Sequence, residues 1–193
     1  ARVQAVLALK LAADPGQFGG PQPIASEEWV RHFLKDEDAD VQFETLRWIA
    51  EAQLTQFLPM VETTLKRSDL GYRSFEAAMA TWNILSGKPE MGVRNAEVLL
   101  GRVQDASSAP RIRAYALRLL PLQPRAAATP GAAPVLSFPK GLTVELLKQL
   151  LAVGDPLLSL ETVRTLAGNP AAGQRALAGL AADSGQPVGL RAE

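Results

Sequence analysis

The sequence predicts an all-α protein, an α-solenoid of about five antiparallel helix pairs. Three observations carry that reading. Segments of similar pattern recur at intervals of 30 to 46 residues, and each carries apolar residues at helical spacing. No stretch alternates apolar and polar residues with β-branched enrichment, so no sheet is expected.

The segments ARVQAVLALKLA, ADVQFETLRWIA, LGYRSFEAAMATW, PRIRAYALRLLP, PLLSLETVRTLA and QPVGLRAE align without gaps. Val3, Val41, Tyr72, Ile112, Leu158 and Val188 form an anchor column. Five residues on stand Ala8, Leu46, Ala77, Leu117 and Val163; eight on stand Leu11, Ile49, Ala80, Leu120 and Leu166. On a helix these offsets fall at about 0°, 140° and 80°, one wide apolar stripe. The position after the anchor also lies in that stripe, yet it holds Gln4, Gln42, Arg73, Arg113 and Ser159. Polar residues inside an apolar arc are tolerable beside a helix start, where they reach loop groups.

A second amphipathic helix precedes each of these. In SEEWVRHFLKD, Trp29, Val30, Phe33 and Leu34 share a face, and Ser26 is placed to cap it. In LTQFLPMVETTLKRSD the stripe is Leu54, Phe57, Leu58, Val61 and Leu65, and Pro59 predicts that the helix starts or bends there. NAEVLLGRVQD, LTVELLKQLLAVGD and NPAAGQRALAGLAAD continue the series, and Asp155-Pro156 and Asn169-Pro170 read as cap-then-proline starts. Between helices lie DPGQFGGPQPIA (14–25), GKPEMG from Gly87, and the proline-rich insert 121–141. The last holds five prolines and no helical period, so a partly disordered surface excursion is expected.

Composition sets the function classes. Apolar residues make up 47% and charged residues 21%, ordinary for a globular chain. Lys plus Arg equals Asp plus Glu at 20 each, without the basic excess that phosphate neutralisation needs, so nucleic acid is not an expected partner. No run of 18 apolar residues occurs, so this segment is not expected to insert into a membrane. The absence of cysteine removes disulfides, thiolate ligands and haem attachment through C-x-x-C-H from the segment. The chain opens without Met or a signal-peptide layout and closes on what reads as the first turn of a further helix. Residues 1–193 are therefore expected to be one solenoid fragment of a longer chain.

FLPMVETTLKRSD, with its proline, apolar run and turn Asp, resembles the first-helix pattern of the HEAT-repeat family. DADVQFETLRWIAEA and SAPRIRAYALRLL resemble its second-helix pattern of Val or Ile followed by Arg. The resemblance implies that Arg73 and Arg113 bridge to turn aspartates of adjacent repeats; Gln4, Ser159 and Gly189 depart from that pattern. More narrowly, FETLRWIAEAQL, ILSGKPEMGV, RIRAYALRLL, GDPLLSLETVRTLA and SGQPVGLRAE are similar to the repeat region of large bacterial membrane-bound dehydrogenases. Those proteins join a β-propeller, a HEAT region and a C-terminal c-type haem domain. That likeness implies a spacer between redox modules in the periplasm or cell envelope, with no cofactor of its own. HEAT-like folds also host bilin lyases and alkyl-base glycosylases, so an enzyme with a pocket on the concave face is the rival reading.

No catalytic, metal or cofactor-binding residue stands out. His32 is the one histidine, too few for a zinc site. Asp36, Glu37, Asp38 and Asp40 lack the spacing and glycine of a calcium loop and read as a solvated turn ending in a helix cap. Glu44/Arg47 and Glu161/Arg164 read as exposed i,i+3 pairs. Offsets 3, 6 and 10 point away from the stripe and hold Phe75, Ala78 and Trp82 in the third segment, and Tyr115 and Arg118 in the fourth. Stacked second helices would set Phe75, Trp82 and Tyr115 side by side, rimmed by Arg47 and Arg118. That is a candidate interaction patch, for a partner protein or a neighbouring domain of the same chain, and the rival reading is ordinary packing beneath a long insert or a neighbouring domain.

Overall fold

The computed structural model describes residues 1–13, 26–125 and 135–182, which are helical apart from one two-stranded ribbon. The chain divides into two compact units, Ala1–Val93 and Arg94–Glu193.

The first unit contains α1 (Arg2–Ala12), α2 (Ser26–Leu34), α3 (Ala39–Glu51), α4 (Leu58–Thr64) and α5 (Tyr72–Leu85). Helix α2 packs on α3, and α4 packs on α5. Helices α1, α3 and α5 also pack each on the next. Asp38 opens α3 by accepting the Asp40 amide at 2.9 Å. Pro59 sits in the first turn of α4, behind a 3₁₀ turn at Thr55–Phe57, so the helix starts there rather than bending.

The second unit contains α6 (Ala96–Gln104), α7 (Pro110–Leu119), β1 (Gln123–Arg125), β2 (Val135–Ser137), α8 (Val144–Leu151), α9 (Pro156–Ala167) and α10 (Pro170–Ala182). Helix α6 packs on α7, α8 on α9, α7 on α9, and α10 on both α8 and α9. Asn95, Thr143 and Asp155 cap α6, α8 and α9 through their side chains. Pro156 and Pro170 each stand at the first helical position. Gly173 lets α10 approach α9, since a Cβ there would lie 2.1 Å from the Leu166 carbonyl oxygen.

The apolar columns form the core in three of the second helices. Val41, Leu46 and Ile49, then Ile112, Leu117 and Leu120, then Leu158, Val163 and Leu166 are all buried. Each such side chain contributes about 1.5–3 kcal/mol. The third segment departs from the alignment. In α5 the buried residues are Ser74, Phe75, Ala78, Met79, Thr81 and Asn83, while Tyr72, Ala77 and Ala80 are half-buried. Ser74, not Tyr72, occupies the third helical position that Val41, Ile112 and Leu158 occupy in α3, α7 and α9. The anchor lies two residues later and Met79 takes the buried fifth offset, while Trp82 at the eighth stays half-buried. In α1 only Val6 is fully buried; Val3 is half-buried, and Ala8 and Leu11 are exposed.

The polar position after the anchor behaves as its place beside the helix start requires. Gln42 donates to the Asp36 carbonyl, and Arg113 Nε donates to the Val103 carbonyl at 3.0 Å. Arg73 stands two residues earlier in its helix and bonds Asp40 of α3, at the exposed rim. The expected Arg113 bridge to a turn aspartate is replaced by that carbonyl bond.

The insert 121–141 carries an antiparallel ribbon, with Gln123 opposite Ser137 and Arg125 opposite Val135. This corrects the expectation of no sheet. Three-residue strands are too short to show a period of two. Gly141 (φ 96°) ends the insert in a conformation that disfavours side chains. Residues 14–25, residues 126–134 and the segment containing Val188 and Gly189 lie outside the described residues.

Candidate interaction surfaces

The expected patch is not one exposed surface. Phe75 is fully buried and belongs to the core of the first unit, because the two-residue shift in α5 turns it inward. Trp82 is half-buried, Arg47 is exposed, and both belong to the same unit. Tyr115 is half-buried and Arg118 exposed, and these belong to the second unit.

Both arginines are engaged in ion pairs. Arg47 Nε donates to Glu51 at 2.6 Å, and its Nη1 lies 3.8 Å from Glu44. Lys10 of α1 joins the same Glu51. Hydrogen bonding from Lys10, then from Arg47, holds the Glu51 carboxyl below its usual range, and Glu51 in turn raises Arg47. Arg118 lies 3.9 Å from Glu161, and Arg164 lies 3.3 Å from the same carboxylate oxygen. Glu161 was expected on an exposed face. Its side chain is only 6% exposed, because α7 packs against α9 along that side. Leu117, Leu120, Leu122 and Leu142 wall a small cleft of about 170 Å³ beside it.

The acidic run folds as a capped turn. Asp36 accepts the Asp38 amide at 2.8 Å and pairs with Arg2 at 3.0 Å, and Asp38 caps α3. His32 is exposed on α2 in edge contact with Trp29 and Phe33, at 6.3 and 5.6 Å between ring centroids. Trp29, expected in the stripe, is 45% exposed while stacking on Phe33. Among the described residues no group of three or more His, Asp or Glu side chains gathers that could hold a metal ion. No described helix is long and apolar enough to cross a membrane.

Two kinds of groove separate neighbouring helices. The groove between α1 and α3, about 660 Å³, is lined by Leu7, Leu11 and Trp48 with the closed Lys10–Glu51 pair. A cleft of about 440 Å³ lies between α2 and α4, the first helices of successive pairs, and holds Arg31, Lys35 and Arg67. Between α8 and α10 a cleft of about 370 Å³ holds Lys148 and Arg175. Neither cationic cleft has a carboxylate in its lining. Sequence reasoning missed both, since their basic residues come from separate parts of the chain and form no run. No family model, curated protein or solved structure matches the chain.

Proposed function

We propose that the chain is a non-catalytic helical-repeat scaffold of HEAT-like pairs that mediates protein–protein or interdomain contacts. The observation that carries this reading is the packing of second helices in series, α1 on α3 on α5 and α7 on α9, each of α3, α5, α7 and α9 bearing its own first helix. A chain built this way buries each apolar stripe on its sequence neighbours and presents long faces of side chains to partners. The buried carboxylate Glu161 is already matched by two guanidinium groups, which fits a structural more than a catalytic use. The similarity to the repeat region of multidomain dehydrogenases narrows the proposal to a spacer between redox modules.

The test is proximity labelling in the native host, with a biotin ligase fused to the protein and the ligase alone as control. A scaffold yields a discrete, reproducible set of labelled neighbours, or labelled domains of its own polypeptide. Labelling indistinguishable from the control overturns the scaffold reading.

A further inference from the structure

We propose that the cleft between α2 and α4 is a docking site for an acidic peptide segment of a partner protein, one that carries carboxylates beside an apolar side chain. The proposal rests on the scaffold reading and names the chemistry of its contact. Arg31 stands in the last turn of α2 and Lys35 just past its end, and both line the cleft. Two like charges so placed repel each other, and an anion between them removes the repulsion. Their local partners are weak or missing. Arg31 directs one Nη at the Met60 thioether, 3.4 Å away and a poor acceptor, lies over the Phe57 ring at 5.8 Å from its centroid, and holds Glu27 only at 3.7 Å. Among the described residues the Lys35 ammonium meets no carboxylate.

Across the cleft, Arg67 is held in place by two bonds to Asp69, at 3.0 and 2.7 Å, and by a longer one to the Leu34 carbonyl. Met60 from α4 and Leu34 from α2 supply apolar walls between these charges. A volume of about 440 Å³ suits one or two side chains of a bound segment. Arg31 and Lys35 over an apolar wall, beside an Arg67 already paired with Asp69, match a carboxylate next to an aliphatic residue. They are too few to follow a nucleic-acid backbone.

The second unit repeats the arrangement on different residues. Its cleft between first helices holds Lys148 and Arg175 beside Leu151 and Leu180, again without a carboxylate. The groove between second helices instead closes its own charge through Lys10 and Glu51. In both units, then, positive charge without an acidic lining sits between first helices, although the whole chain is neutral.

The test uses the full chain on arrays of nine-residue peptides that mix Glu and Asp with Leu. Matched arrays carry Gln or Lys in place of the acids. Binding is expected on the acidic arrays alone and is weakened tenfold or more by Lys35→Glu. Lys66→Glu, which alters a lysine paired with Glu62 outside the cleft, is expected to leave it unchanged. Absence of binding on the acidic arrays, equal binding to the Gln arrays, or equal loss in both variants overturns the proposal. So does displacement of the peptide by a single-stranded oligonucleotide that binds more tightly. If Lys35→Glu binds acidic peptides as well as the wild type while the labelled neighbours in the host persist, the cleft falls and the scaffold stands.

Discussion

The Thr81 hydroxyl of α5 lies 3.1 Å from the Leu46 carbonyl oxygen of α3, a buried hydrogen-bond contact between successive second helices. The same hydroxyl lies 2.8 Å from the Ala77 carbonyl of its own helix. Two turns earlier in α5, the equally buried Ser74 hydroxyl has no partner. One helix therefore holds a polar group that links it to its neighbour and another that is desolvated without return.

The two positions should respond with opposite sign. Thr81→Val keeps the shape and removes the link, and should lower stability by about 1 kcal/mol. Ser74→Ala removes an unsatisfied hydroxyl and should raise stability by up to about 1 kcal/mol. Urea unfolding followed by circular dichroism measures both. Equal destabilisation by the two changes would contradict the hydrogen-bond assignment.

Phe75 and Trp82 separate core from surface in α5. Phe75→Ala empties a fully buried site and should cost about 3–5 kcal/mol. Trp82 is half-buried, so Trp82→Ala should cost distinctly less. The thermal midpoint of Phe75→Ala is expected well below that of Trp82→Ala. The reverse order would restore Phe75 to an exposed face.

Asp105 supplies a pH signature. The Ser107 hydroxyl first, then the Ser108 hydroxyl and the Ser107 amide, donate to its carboxylate and lower its pKa to about 2 from 3.8. A depressed folded-state pKa means that these bonds stabilise the turn above the unfolded value. That contribution fades as the pH falls from about 4 toward 2. Ser107→Ala should move the Asp105 titration up toward the ordinary carboxylate range, read by carboxyl-carbon NMR. An unmoved titration would remove Ser107 as the cause.

The sequence by itself determined the helices, because the 3.6-residue period and the cap residues are local physics. Val41, Leu46 and Ile49 of α3 and Leu158, Val163 and Leu166 of α9 are buried as their spacing requires, and Asp38 and Asp155 mark where those helices start. Helix α5 shows where local information fails. Its cap is Gly71, which makes no side-chain bond, and Ala77, Ala78 and Ala80 are apolar in either of two frames. Only packing against α3 and α4 selects the frame that buries Phe75 and Met79. Tertiary structure also decided which stripes are covered, leaving Leu7 and Leu11 of α1 exposed while Glu161 is buried against Arg118. It alone gathers Arg31 and Lys35 with Arg67, because residues 32 or more positions apart share a cleft only when two first helices lie side by side.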